Sequence, residues 1–232
     1  MSKLLSVTAL TLLATSTIEA DPGARMEAQR TKADFPLSIE AKEWRKAQTV
    51  MASVDPFGKP AGAGNQFEIK ALWTPTNLYL LFTCPYDELV LKSNPTTTEE
   101  TNKLWEWDVA EVFIAGDPTN VYQYRELQVS PQGEWVDLDI DRKNPKPGGG
   151  WKWNSGFEVK AKIDKEKKIW YGAMKIPFAS INGKAGAAGA EFPINIYRLT
   201  GANPSRKSTM WTPTQNRSHH TPEMFGRMTL AK

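Results

Sequence analysis

The chain has 232 residues with 29 Lys and Arg against 26 Asp and Glu, interspersed along its length. That is enough chain for one large domain, and it lacks the concentrated basic face that phosphate contacts need, which argues against a nucleic-acid partner. The single cysteine, Cys84, excludes an internal disulfide.

Residues 1–20 read as an export signal: Lys3, an apolar run over 4–14, then small and polar residues to Ala20. The run is too short for the roughly 20 residues of a membrane-spanning helix. Cleavage and an exported, soluble, monomeric mature protein, periplasmic or extracellular, are therefore expected, with no membrane partner. Residues 21–34 are polar and without periodicity, a disordered lead-in, and the domain is placed at 35–232. Residues 41–47 form the one helical turn, with Trp44 and Ala47 on one face.

Everything beyond reads as strands. Phe67, Ile69 and Ala71 alternate with polar residues, 73–77 supply a turn, and 78–82 return as an apolar run, together a hairpin. Further strands are expected at 106–114, 122–129 and 134–140, the last two joined by Ser-Pro-Gln-Gly at 130–133. Residues 157–163 and 169–176 flank a charged turn, and strands at 192–199, 208–211 and 225–230 complete the set. About ten strands with short turns and one short N-terminal helix define an all-β fold, an antiparallel β-sandwich. The Gly-rich stretches at 62–64, 148–150 and 183–189 are loops rather than phosphate cradles, since none joins a strand to a helix.

Nine tryptophans stand out, and six of them, Trp73, Trp105, Trp107, Trp151, Trp153 and Trp211, lie beside turns or strand ends. Partly uncovered indoles suit sugars, because a pyranose presents a C–H face to the ring and leaves its polar edges for hydrogen bonds. Strand parity puts Trp105, Trp107, Val109, Glu111 and Phe113 in one row, and Asp108, Ala110, Val112 and Ile114 in the other, which suits the interior. A carboxylate in line with indoles is what a sugar groove uses; packed indoles beside a salt-bridged Glu111 would give the same pattern. Residues 211–222 form a long polar loop where Asn216, Arg217 and His219 can meet hydroxyls. His219 and His220 lack partners for zinc. Asp137, Asp139 and Asp141 read as a solvated strand face, too extended at about 13 Å for all three to reach one calcium ion, and the loop acids Asp87, Glu88 and Asp117 are equally good ligand candidates. Nucleophile elbows and catalytic triads are absent.

The segments Glu43-Trp-Arg-Lys-Ala47, Asn77-Leu-Tyr79, 105–114, 126–131, Ile176-Pro-Phe178, 194–198 and 222–230 follow one another in an order that resembles carbohydrate-binding module family 9 and its stand-alone bacterial relatives. The resemblance implies a non-catalytic β-sandwich with an oligosaccharide or polysaccharide partner, bound calcium, no organic cofactor, and a slot in which indoles clamp a terminal sugar. It places the stacking indole at Trp105, the carboxylate at Glu111 and the amide at Asn216. Two positions depart: His219 stands where a second indole is expected and Gln128 where an Arg is expected, so the clamp loses stacking surface and a forked charge. Haem-binding relatives of the same fold imply an alternative with ligands from Met210, Met224, His219 and His220. A glycan hydrolase working through two facing carboxylates is a third.

Overall fold

The computed structural model describes residues 23–232; the expected export signal lies outside them. Twelve strands account for most of the regular structure: β1 (Arg25–Arg30), β2 (Thr49–Ala52), β3 (Phe67–Trp73), β4 (Asn77–Pro85), β5 (Val109–Ala115), β6 (Gln123–Val129), β7 (Trp135–Asp141), β8 (Glu158–Asp164), β9 (Ile169–Pro177), β10 (Glu191–Thr200), β11 (Lys207–Met210) and β12 (Gly226–Leu230). The helical turn expected at 41–47 is a 3-10 helix, Lys42–Lys46, and the α-helix among the described residues is α1 (Phe178–Asn182), between β9 and β10. No helix among the described residues is long and apolar enough to cross a membrane.

The strands form one continuous path, β7-β6-β5-β10-β12-β1-β3-β4-β9-β8, with β11 added beside β10 and β2 beside β3. The path folds back on itself and is nearly closed. Ala110, Val112 and Ile114 of β5 share a core with Leu80 and Phe82 of β4 and Met174 of β9, as alternation predicts for strands with one face inward. The halves approach closely at Gly172 of β9, where an added Cβ would lie 3.0 Å from the Val129 side chain of β6. β4 is buried on both faces and accordingly reads as a near-continuous apolar run. Its second face, Tyr79 and Leu81, is covered by Phe35, Leu37 and Trp44. Asp34 latches that cover, accepting from the hydroxyls of Thr74, Thr76 at 2.6 Å and Tyr79 at 3.1 Å.

Two expectations are corrected here. Residues 25–30, expected to lie in a disordered lead-in, form β1. They pair in parallel with β12, Met26 opposite Met228, and with β3, Gln29 opposite Leu72, so the sheet is not purely antiparallel. The strand was masked by polar residues facing out; only Met26 and Ala28 enter the core, and both are buried. The Asp137, Asp139 and Asp141 row, expected to be solvated, is half closed over: Asp137 is 1% exposed and accepts from the Ser155 backbone at 2.8 Å. The row opposite, Leu138 and Ile140, lines a cavity instead.

Candidate functional site

The outward face of β10, β5 and β6 is polar where a sheet face buried by a loop would ordinarily be apolar. Register places Tyr197, Glu111 and Gln128 in one row across the three strands, and Asn195, Phe113 and Glu126 in the next. Above this floor lies a cavity of about 740 Å³. Trp105 and Glu106 form one wall, Leu138, Ile140 and Arg142 another, and Arg217, Ser218, His219 and His220 of the 211–222 loop a third.

The 211–222 loop is held down by its histidines. His219 stacks on Tyr197 with ring centres 4.7 Å apart and planes 6° from parallel. Its Nε2 lies 2.8 Å from the Ser208 hydroxyl and its Nδ1 3.4 Å from Glu111 Oε2. With Nδ1–H turned to the carboxylate, Nε2 accepts from Ser208. The Tyr197 hydroxyl donates to the His219 carbonyl at 3.0 Å. His220 sits over Phe113 and its Nδ1 is 2.6 Å from the Tyr124 hydroxyl; burial, reinforced by Arg142, lowers its pKa to about 4, so the ring is neutral at neutral pH.

Trp105 is half-buried in a 3-10 turn, Leu104–Glu106, before β5 begins. Arg206 fixes that turn, donating through its guanidinium to the carbonyls of Glu106 and Gly201, each at 2.9 Å, and of Trp107. The turn is thus held from a neighbouring loop rather than by strand pairing. Of the other tryptophans at turns or strand ends, Trp73 and Trp211 are core, 1% and 7% exposed. Trp107 and Trp151 pack beside Trp105 on Leu104, Val109 and Leu138, and Trp153 lies under the Arg125 guanidinium.

The structure therefore brings together Trp105, Glu111 and His219. Gln128 shares their face but is fully buried, spending its amide on Glu126 Oε1 at 2.7 Å. Asn216 lies outside the cavity lining; its amide donates to the Thr214 carbonyl and Thr221 hydroxyl and its oxygen accepts from the Ser218 backbone, which shapes the loop. Sequence reasoning missed Glu126 and Tyr197 as members of this face. Glu126 shares parity with Gln128, so the strand pattern held that information.

Among the described residues no cluster of three or more His, Cys, Asp or Glu side chains is arranged to hold a metal. Asp139 is committed to Arg125 and Lys146, and Asp141 to Gln123 and the Lys143 and Asn144 backbone. Of the four haem candidates, His219 and His220 are engaged as above and Met210 is buried with its sulfur facing the Thr214 hydroxyl, while Met224 is half-buried in the turn before β12. Cys84 is no nucleophile, since complete burial pushes its thiol up to about 12.

The fold is a nearly closed all-β domain with an aromatic-walled cavity, and comparison with known proteins gives it a family. The carbohydrate family 9 binding domain-like profile matches residues 38–232, and the chain belongs to that family. Solved structures share the fold at low identity. A family 9 carbohydrate-binding module from Caldicellulosiruptor kristjanssonii in complex with cellotriose is 13% identical, with a TM-score of 0.64, covering 90% of this chain and 94% of that one. The glucose complex of a family 9 module from the same organism is 12% identical at a TM-score of 0.65, covering 90% and 97%. A carbohydrate-binding protein from Bacteroides uniformis ATCC 8492, described as such on provisional grounds, is 11% identical at 0.68, covering 90% and 99%. No curated protein matches the chain.

Proposed function

We propose that this is an exported, non-catalytic saccharide-binding protein that holds one end of a glycan in the cavity beside Trp105. The single observation that carries the reading is the convergence of a half-buried indole with a buried carboxylate, Glu111, and a hydrogen-bonded imidazole, His219, around one open space. An indole face takes the C–H face of a pyranose, and a carboxylate accepts from two adjacent hydroxyls. The family membership and the glucose and cellotriose complexes of the structural relatives support a sugar ligand. The enclosing 211–222 loop supports recognition of a chain end rather than a long stretch of polymer. Gln128 and Asn216 lie outside the cavity lining, Gln128 buried in the strand face and Asn216 shaping the loop, and neither is given a contact to the sugar.

The test is calorimetric titration with glucose and with cello- and xylo-oligosaccharides, alongside their end-reduced forms. Trp105→Ala should weaken binding at least tenfold, about 1.4 kcal/mol, with an unchanged circular dichroism spectrum. Full affinity in that variant would remove the platform, and release of reducing sugar abolished by Glu111→Gln would instead support a hydrolase.

A further inference from the structure

Glu126 is the cavity residue to which the saccharide reading gives no contact of its own. It lies on β6 opposite Phe113 of β5 and Leu138 of β7, on the cavity side, and is 4% exposed. Its Oε1 accepts from Gln128, while Oε2 is buried without a donor. Glu111, one strand over and two residues along, is 2% exposed. Two carboxylates thus share the cavity floor, where a buried charge is costly unless it meets an opposite one.

The groups around them do not supply a compensating cation. From the loop, His219 faces Glu111 and His220 is neutral; from β6 and β10 come the hydroxyls of Tyr124 and Tyr197. From β7 and beyond come Asp139, Asp141, Arg142 and Lys146, with Lys146 tied to Asp139. Arg206 lies within electrostatic range of Glu111 but spends its terminal nitrogens on three backbone carbonyls. Arg142 and Arg217 are exposed at the mouth. Among the described residues, no Lys or Arg forms an ion pair with either carboxylate.

Building on the saccharide reading, we infer that Glu111 and Glu126 together accept a positively charged substituent, so that the cavity selects sugars with a free amine over neutral sugars of the same shape. An ammonium group carries three donors and brings the missing charge into the site with the ligand. Burial, with the Glu111 charge beside it, holds the Glu126 carboxyl well above its usual range. An ammonium beside Glu126 favours the ionised carboxylate, so a proton held on Glu126 before binding leaves to solvent when the ammonium arrives.

Calorimetry at pH 6 on the full chain with D-glucosamine, D-glucose and N-acetyl-D-glucosamine, in two buffers of different ionisation enthalpy, tests this. Glucosamine should bind at least tenfold tighter than the other two and release a proton. Glu126→Gln, which imitates the neutral acid, should melt as the native chain does, keep glucose and lose the preference. Glucose bound as tightly as glucosamine overturns the inference and leaves saccharide binding standing. A preference that survives in Glu126→Gln overturns the role of the pair. Silence toward all three and toward cello- and xylo-oligosaccharides sinks both readings.

Discussion

His220 shows how one side chain ties the site to stability. Its ring is packed on Phe113, bonded to Tyr124, and neutral because burial lowers its pKa from 6.5 to about 4. The unfolded chain therefore binds more protons between those values, and the contribution of His220 is full above pH 6.5 and declines as the pH falls toward 4. Denaturant unfolding of the native chain and of His220→Gln should differ most at pH 7 and progressively less toward pH 4.5. A difference that stays constant across that range would mean the ring is not held neutral. Trp105 and Glu111, which line one cavity, stood out in the sequence because an indole near a turn and a charge inside an apolar strand are both out of place in one dimension. Glu126 shares the parity of Gln128, so its face was legible, but its nearness to Glu111 depends on the register between β5 and β6, which alternation alone does not give.

Among the elements, β1 matters most for what the rest can do. It pairs with both β12 and β3, so it joins the half of the sheet that carries the cavity to the half that completes the core. The junction is tight at Gly226, the first residue of β12, where an added Cβ would come within 2.7 Å of both the Ala24 carbonyl and the Trp211 ring. Gly226→Ala should cost about 1–3 kcal/mol through overpacking, seen as a lower denaturation midpoint with the slope unchanged. An equally stable variant would show that the junction can relax. The hairpins were legible because alternation and turn residues are local. β1 was not, because a six-residue strand with only two inward apolar side chains, Met26 and Ala28, held in parallel pairings to distant segments, leaves almost no periodic trace.

For the whole molecule, one core is built from both halves of the sheet, with Trp170 and Met174 of β9 and Ile194 and Ile196 of β10 in the same cluster. Neither half can keep its apolar face covered if the other opens. Thermal unfolding followed by tryptophan fluorescence and by far-ultraviolet circular dichroism should therefore give one coincident transition; two separated transitions would show that the halves are independent. The same closure gives the cavity a floor of three paired strands, with the turn carrying Trp105 and the 211–222 loop as walls. The all-β class followed from turn spacing alone, whereas the continuous strand path required the β1 pairings.

The most direct measurement is a calorimetric titration of the native chain and Trp105→Ala with glucose, glucosamine and cello-oligosaccharides. The account predicts saturable binding by the native chain with one site per molecule, and a loss of at least tenfold in the variant with its fold retained. A native chain that binds none of these sugars, or a variant that binds them as well as the native chain, would contradict it.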